Sequence, residues 1–225
     1  MARCAVFDVD GTLVDSNYQH VLAWHRAFLR YDAPQPLWQI HRHIGMGGDK
    51  LVAAVAGDAI EEVHGDEIRD GWKQEFDALI GEVVAVPGAS ELLEAVKRSG
   101  ATLVLASSGK PDHVEHFVDL LGARDLADSW TNSEDVEATK PDPDLLEVAL
   151  ERVGRPAAVT FGDSTWDAVA AGRLGLPAVE VRTGGFGTDE LRAAGAVEVF
   201  ESLEDVLADL ERLLALATSP GPAAG

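Results

Sequence analysis

The sequence predicts an α/β protein in which a parallel sheet is interrupted by one all-helical insertion. Two observations predict this fold class. From residue 87 onward, short apolar runs alternate with segments of helical periodicity, which is typical of a parallel sheet with helices on both faces. Between residues 15 and 82, every periodic segment has helical spacing and none resembles a strand. A chain of 225 residues is long enough for one such domain with a smaller one inserted.

The first predicted strand is the apolar run Cys4–Phe7, and two acidic residues follow it. Asp8 and Asp10 would share one face if the strand geometry continued. Gly11 then lets the chain turn at the carboxyl end of the strand, where open α/β sheets bind ligands. Two adjacent carboxylates need a cation or a shared proton, and Mg²⁺ suits such oxygen ligands. Because Asp-x-Asp-Gly is also common in ordinary turns, this segment alone leaves both interpretations open.

The helical insertion is predicted to span residues 15–85. Asp15 or Ser16 is the expected N-cap of its first helix, whose apolar residues recur every three or four positions until Pro34 ends the pattern. Further helices are predicted at about 37–44, 49–56 and 59–80.

Residues 1–14 and 86–217 are expected to form the sheet-containing core. Strands are predicted at 102–106, 130–132, 157–161, 178–181 and 197–200. Helices are predicted at 88–99, 111–121, 143–153, 164–173, 188–194 and 202–216. The final segment, residues 218–225, is rich in Pro, Gly and Ala, and we expect it to be a disordered tail.

The charge balance is strongly acidic, with 18 basic and 39 acidic residues and a net charge of −21. This balance disfavours nucleic acids and anionic membranes as partners, since a protein that binds phosphate backbones needs a basic surface. An anionic small molecule would also be repelled at long range. We therefore expect a metal ion and a local lysine to capture such a substrate.

Cysteine usage and apolar patterning indicate the compartment. Cys4 is the single cysteine, so no internal disulfide forms, and its apolar strand predicts a buried, inert thiol. The first residues enter a strand without the basic and apolar pattern of a signal peptide. No apolar run approaches the roughly 20 residues of a membrane span. We expect a cytoplasmic protein, and the sequence leaves its oligomeric state open.

Three later segments carry residues that could serve chemistry. Ser107 and Ser108 follow the strand at 102–106 and could present hydroxyls and backbone N–H groups to an anion, although either could simply cap a helix. Lys140 stands in a Lys-Pro-Asp-Pro run, which alone is typical of a surface lysine. Asp163 and Asp167 follow the strand at 157–161 with a spacing that could direct both at one site, or could reflect ordinary helix capping.

The order of these motifs resembles the haloacid dehalogenase superfamily. Its four motifs correspond to Asp-x-Asp-Gly-Thr at residues 8–12, Ser107, Lys140-Pro141 and Gly-Asp-x-x-x-Asp at residues 162–167. The resemblance covers nearly the whole chain. It implies a Rossmann-like core with an inserted helical cap, and a subgroup that includes phosphoglycolate phosphatase, sugar-phosphate phosphatases and β-phosphoglucomutase. The implied activity is Mg²⁺-dependent hydrolysis of a small phosphate monoester.

The resemblance also implies roles for individual residues. Asp8 would be the nucleophile that forms an aspartyl-phosphate, and Asp10 would be the general acid and then the general base. Ser107 and Lys140, with the adjacent Ser108, would hold the transferring phosphoryl group.

A second set of residues would bind the metal. Asp8, the backbone carbonyl of Asp10 and Asp163 would hold Mg²⁺, with Asp167 as a further ligand or as support for the others.

Residues of the predicted cap bear on substrate selectivity and on the alternative functions. His20 matches a hinge histidine of the mutases and some sugar phosphatases, and could contact Asp10. β-Phosphoglucomutases carry an arginine where this chain has Gly48, so a phosphatase is favoured over the alternative, a phosphosugar mutase. Asp49 and Lys50 could contact a substrate hydroxyl or carboxylate. A non-catalytic phospho-receiver or binding protein is the alternative from another class, but a receiver domain would be shorter and uncapped.

Overall fold

The computed structural model describes residues 3–221, and its centre is one parallel sheet of six strands. The strands are β1 (Arg3–Phe7), β2 (Thr102–Ala106), β3 (Ser129–Thr131), β4 (Ala157–Gly162), β5 (Ala178–Val181) and β6 (Glu198–Phe200). Their order across the sheet is β3-β2-β1-β4-β5-β6. This arrangement confirms the predicted α/β class.

Helices follow the strands and also form the insertion between β1 and β2. The insertion contains α1 (Asn17–Arg30), α2 (Leu37–His41), α3 (Gly48–Ala56) and α4 (Asp58–Leu79), and no strand of the sheet comes from residues 15–85. The core helices are α5 (Ala89–Arg98), α6 (Pro111–Leu120), α7 (Asp144–Arg152), α8 (Thr165–Arg173), α9 (Thr188–Ala194), α10 (Leu203–Ala208) and α11 (Leu210–Leu214). Short 3₁₀ turns lie at Ile80–Glu82, Ser133–Asp135 and Arg182–Gly184.

The strand order places β1 at the point where the chain changes direction. From β1 the chain runs outward to β2 and β3 on one side, and later returns to build β4, β5 and β6 on the other. Phe7 at the end of β1 pairs in register with Leu105 and Phe161. Ligands of open α/β sheets bind beyond the carboxyl ends of strands at such a point. Asp8, whose N–H donates to the Phe161 carbonyl at 2.8 Å, lies there.

Both faces of the sheet are covered by apolar packing. In β1, Ala5 and Phe7 join the larger core cluster, whereas Cys4 and Val6 join a second cluster on the other face. Continuous burial of this kind is typical of parallel strands with helices on both faces. Burial raises the pKa of the Cys4 thiol to about 12, so the thiol is inert, as its apolar strand predicted.

The helical insertion has its own aromatic packing between α1 and α4. The buried residues Ile68, Trp72, Phe76 and Leu79 recur along α4 at the spacing of one helix face. Trp72 stacks against Trp24 of α1 with ring centroids 5.0 Å apart. Burial of each large side chain contributes roughly 1.5–3 kcal/mol, so this face stabilises the insertion.

Two details at the C-terminal end differ from the sequence-based expectation. The single helix expected at 202–216 is two helices, α10 and α11, interrupted at Asp209, whose carboxylate accepts from Arg212 Nε at 2.8 Å. Asp has a low helix propensity, which favours such a break. Thr218 exchanges backbone hydrogen bonds with Ala158, and the Gly221 N–H donates to Leu174 O at 2.8 Å.

The disordered tail expected for 218–225 is therefore wrong for residues 218–221, because these backbone bonds hold them against the core. Residues 222–225 lie outside the described residues. Within 3–221, no helix is both long and apolar enough to cross a bilayer.

Candidate active site

Three aspartates meet at the carboxyl edge of the sheet. Asp8 follows β1, Asp163 follows β4, and Asp167 lies in the first turn of α8; one carboxylate oxygen from each lies within 4.8 Å of the others, and all three residues are buried. Burial raises the pKa of Asp8 well above its usual range and that of Asp163 to about 7, and mutual repulsion adds to both shifts. A hard divalent cation would relieve this repulsion, so the oxygen donors fit such an ion.

Neighbouring polar side chains hold Asp163 in place. Thr12 Oγ1 donates to Asp163 Oδ1 at 2.9 Å, and Asn17 Nδ2 donates to Asp163 Oδ2 at 2.9 Å. Gly11 makes this approach possible. Its φ is +79°, and a Cβ there would lie 2.4 Å from Asn17 Nδ2 and 2.5 Å from Asp163 Oδ2. The glycine of the first motif is therefore required by both its dihedral angle and its neighbours.

Lys140 brings a buried positive charge to the same cluster. Its Nζ contacts Asp8 Oδ1 and lies 2.6 Å from Asp167 Oδ1. Burial opposes the ammonium charge, but the carboxylates of Asp167 and Asp8 outweigh burial and raise the pKa of Lys140. Asp167 Oδ2 accepts from the hydroxyl and backbone N–H of Ser164, at 2.5 and 3.2 Å. Asp167 therefore supports the start of α8 and the position of Lys140 together.

The Asp10 carboxylate takes a different set of partners. Ser16 Oγ donates to Asp10 Oδ1 at 2.7 Å, His20 Nε2 lies 3.0 Å from the same oxygen, and Ser107 Oγ donates to Oδ2 at 3.4 Å. Burial works to raise the pKa of Asp10, but the hydrogen bonds from His20 and Ser16 hold it below its usual value. Ser16 is the N-cap residue of α1, but its hydroxyl donates to Asp10 and does not cap the helix.

The two serines after β2 lie at different depths. Ser107 is buried, and its Oγ also accepts from the Gly109 N–H at 3.0 Å. Ser108 is half-buried and lines two adjoining cavities. α6 begins at Pro111, after Lys110, so neither serine is its N-cap.

Two cavities adjoin between the sheet edge and the helical insertion. The inner cavity, about 50 Å³, contains the acidic residues of the first motif. It is lined by Asp8, Asp10, His20, Trp24, Ile44, Gly45, Met46, Gly47, Gly48, Trp72, Ser108 and Gly109. The outer cavity, about 350 Å³, is lined by Gly48, Asp49, Arg69, Trp72, Ser108, Lys110, Ser133, Glu134, Val136, Glu137 and Thr139. Gly48, Trp72 and Ser108 line both, so the outer cavity adjoins the cavity that holds the acidic centre.

The cap residues singled out in the sequence take three different positions. Gly48 lines both cavities, and a Cβ there would lie 3.4 Å from Trp24 Cη2. The Asp49 carboxylate is held by the hydroxyl and the N–H of Thr139 while it lines the outer cavity. Lys50 forms an ion pair with Asp142 at 2.6 Å, outside both cavities as the described residues form them. Lys50 therefore joins the insertion to the core and lines neither cavity, so its expected substrate contact stays a prediction.

Several residues of the site were not singled out from the sequence. Thr12 belongs to the first motif, but nothing in the pattern linked Asn17 to Asp163. Glu180 of β5 is fully buried opposite Gly162, and neither of its carboxylate oxygens has a hydrogen-bond partner within residues 3–221. Burial raises its pKa well above the usual range, and the charges of Asp167 and Asp163 add to the shift. The sequence feature that could have identified Glu180 is a glutamate within an apolar strand.

A Cβ on Gly162 would lie 2.6 Å from Asp167 Cγ and 2.9 Å from Glu180 Oε2. This glycine therefore lets Glu180 approach the acidic cluster. A buried carboxylate without partners is a further feature that a nearby cation would stabilise.

Comparison with known proteins gives a family match. A family model described as haloacid dehalogenase-like hydrolase matches residues 2–175. The chain is 29% identical to validoxylamine A 7′-phosphate phosphatase of Streptomyces hygroscopicus subsp. limoneus, over 81% of this chain and 87% of that protein. It is 31% identical to phosphoglycolate phosphatase of Pasteurella multocida, over 79% and 84% of the two chains.

A solved structure of similar fold comes from Pseudomonas syringae and is described as a hydrolase. Its TM-score is 0.88 at 33% sequence identity, covering 94% of this chain and 99% of that chain. The likeness extends over the sheet and the helical insertion together.

Proposed function

The chain belongs to the haloacid dehalogenase-like hydrolases, and we propose that it is a Mg²⁺-dependent phosphatase acting on a small phosphate monoester. The observation that carries the proposal is the arrangement around Asp8. This buried carboxylate lies beside Lys140 and two further aspartates, and it lines the same cavity as Asp10. This arrangement supports the proposed roles of a nucleophile, a fixed cation, a metal-ligand set and a separate acid–base group.

In the first step, a carboxylate oxygen of Asp8 attacks phosphorus, and the bond from phosphorus to the ester oxygen breaks. Asp10 gives its proton to the departing oxygen, so that an alcohol leaves and an aspartyl-phosphate remains. In the second step, Asp10 takes a proton from water, and the resulting hydroxide attacks the phosphorus. The bond to Asp8 breaks, which releases inorganic phosphate and regenerates the carboxylate.

Positive charge is needed because a phosphate dianion approaches a carboxylate. The ammonium of Lys140 and the hydroxyls of Ser107 and Ser108 would bind the phosphoryl oxygens and stabilise their charge during transfer. A divalent cation held by Asp8 and Asp163, with Asp167 and the Asp10 carbonyl as its other protein groups, would offset the remaining repulsion.

The pKa of Asp10 fits one of its two proposed roles directly. Its carboxylate is ionised at neutral pH because the hydrogen bonds from His20 and Ser16 lower its pKa, and this form is the one required of a base. The acid role requires a proton on Asp10 when substrate is bound. A nearby phosphate dianion favours that protonated form, since like charge raises a carboxyl pKa.

Hydrolysis is favoured over phosphosugar transfer. Gly48 offers no side chain to hold a second phosphate at the position where the mutases carry an arginine. The two relatives described above are named as phosphatases, one of validoxylamine A 7′-phosphate and one of phosphoglycolate, which supports release of phosphate to water.

The test is phosphate release from p-nitrophenyl phosphate by the purified protein, first in EDTA and then with Mg²⁺ added. We expect many turnovers per enzyme with Mg²⁺ and almost none in EDTA. A single phosphate captured per chain without turnover would indicate a phospho-receiver instead, and equal rates in EDTA and Mg²⁺ would contradict the metal requirement.

A further inference from the structure

We propose that Glu180 is a positioning residue of the metal centre. Its buried carboxylate lies next to the three aspartates and raises the affinity of that centre for a divalent cation, without contacting the ion or the substrate. This inference rests on the proposed function. It goes further because it assigns a role to a buried acid that belongs to none of the four motifs.

The side chain of Glu180 points to the face of the sheet that α8 covers. Residues two apart in a strand share a face, so Glu180 lies on the same face as Ala178. Ala178 belongs to the apolar cluster that contains Ala168 and Ala171 of α8. Glu180 therefore lies beneath the helix whose first turn carries Asp167.

Gly162 leaves the space in which Glu180 approaches the acidic cluster. The two residues are register partners in β4 and β5. The position that a Cβ of residue 162 would take lies 2.9 Å from Glu180 Oε2 and 2.6 Å from Asp167 Cγ. Both carboxyl groups therefore border the same point, and the absence of a side chain on Gly162 lets them do so.

Burial prevents Glu180 from contacting a ligand directly. The residue has no exposed surface, and neither carboxylate oxygen has a hydrogen-bond partner within residues 3–221. A buried charge that is neither paired nor hydrogen-bonded is strongly unfavourable. A proton or a nearby cation can compensate it, and a cation is what the neighbouring aspartates also need.

The acidic cluster has an excess of negative charge before any ion binds. Among the described residues, three aspartates face one lysine, Lys140. Burial is the largest cause of the raised pKa of Glu180, and the charges of Asp167 and Asp163 come next, while Lys140 opposes the shift. Glu180 therefore interacts with the same charges that a divalent ion would offset.

A charge just outside a ligand set can still attract the ion. The effective dielectric constant inside a protein is far below that of water, so charges that do not touch interact strongly. Groups beyond the direct ligands typically change metal affinity by about 10- to 100-fold when they are mutated. We expect an effect of this size when the charge of Glu180 is removed.

The test measures Mg²⁺ binding without turnover. Protein freed of metal by EDTA and then of EDTA is unfolded by heat at increasing Mg²⁺ concentrations and one fixed pH, and the rise in Tm gives the Kd for Mg²⁺. Glu180→Gln keeps the size of the side chain and removes its charge, so the Kd should rise by about 10- to 100-fold. Glu91→Gln makes the same change at an exposed position of α5 and should leave the Kd unchanged.

A second variant separates charge from packing. Glu180→Asp keeps the charge and shortens the side chain, whereas Glu180→Gln keeps the shape and removes the charge. If the charge carries the effect, Glu180→Asp should bind Mg²⁺ more tightly than Glu180→Gln. A purely structural role would give the reverse order. Circular dichroism checks that each variant is folded, and the Kd of Glu180→Gln decides alone if Glu180→Asp does not fold.

The outcomes separate this inference from the proposed function. If the wild type hydrolyses p-nitrophenyl phosphate with Mg²⁺ but folded Glu180→Gln has the wild-type Kd, only the Glu180 inference fails. Tighter Mg²⁺ binding by Glu180→Gln, the reverse order of the two variants, or an equal change in Glu91→Gln would also overturn it. Absence of phosphate release by the wild type would overturn the proposed function, while the Kd values would still decide the role of Glu180.

Discussion

His20 Nε2 lies 3.0 Å from Asp10 Oδ1, so a residue of the helical insertion contacts the carboxylate that we propose as the acid–base group. The imidazole is held in place by Phe76, against which it stacks with centroids 3.9 Å apart and an angle of 7°. A hydrogen bond to the charged form of a carboxylate favours that form. The insertion therefore influences the protonation of Asp10 as well as covering the site.

We expect His20→Phe to raise the pKa of Asp10, because the ring stacking is kept while the hydrogen bond is lost. The limb of the pH–rate profile that reports Asp10 should move to higher pH. Measurement of both kcat and kcat/KM from about pH 3 to 9 checks this result. A lower kcat with an unmoved profile would show that His20 acts only by packing.

Asp10→Asn should leave the fold intact and reduce kcat by about 10²–10⁴-fold, since the side chain no longer transfers a proton. The loss should be greatest for alkyl phosphates, whose leaving groups need protonation, and smaller for p-nitrophenyl phosphate. Comparison of the two esters in one variant gives the measurement. Equal losses for both would argue against the acid role.

Asp8→Asn should abolish turnover, with a decrease of at least about 10³-fold, because the same carboxylate is proposed as nucleophile and metal ligand. The asparagine removes one of three crowded buried acids, so the folded protein should persist. Phosphate release and circular dichroism of the same sample test both statements. Near-normal phosphate release from folded protein would refute the nucleophile assignment.

Gly48→Leu should change the relative kcat/KM values of different esters, because the new side chain would enter the region shared by the two cavities. A small substrate such as acetyl phosphate should be affected least. Lys50→Ala provides the matched control: its ion pair with Asp142 lies outside the cavities, so we expect all esters to shift by one common factor. A common factor for Gly48→Leu as well would show that position 48 does not select the substrate.

Glu180→Gln should stabilise the metal-free protein increasingly as the pH rises. Burial raises the folded-state pKa of Glu180 above the usual 4.5, so the wild type loses stability from about that pH upward, toward the folded-state pKa. Glutamine does not titrate, and the difference should be small at pH 5 and at least about 1 kcal/mol at pH 8.

Urea unfolding in EDTA at several pH values measures the effect of Glu180→Gln, with Glu91→Gln at an exposed position of α5 as the control. A difference that stays constant with pH would indicate a packing effect and not a buried charge.

The strand–helix order and the four motifs could be predicted from the sequence because they depend on local patterns. Apolar runs and helical periodicity located the strands, with small differences at their ends. The carboxyl ends of parallel strands meet at one edge, so residues after β1 and β4 were expected to converge. The prediction that Asp8 and Asp163 converge required no knowledge of side-chain packing.

Other features of the site depended on how the insertion sits on the core. The ion pair of Lys50 with Asp142 and the outer cavity join segments that are distant in the chain, whereas the contact of His20 with Asp10 was expected from the family resemblance. No local periodicity encodes which faces of two separately packed units meet. The position of Glu180 likewise depends on strand register, because strand pairing places it opposite Gly162 and beside the acidic cluster. Local sequence patterns therefore place the reactive groups at the sheet edge, and the packing of the insertion on the core sets which side chains orient them.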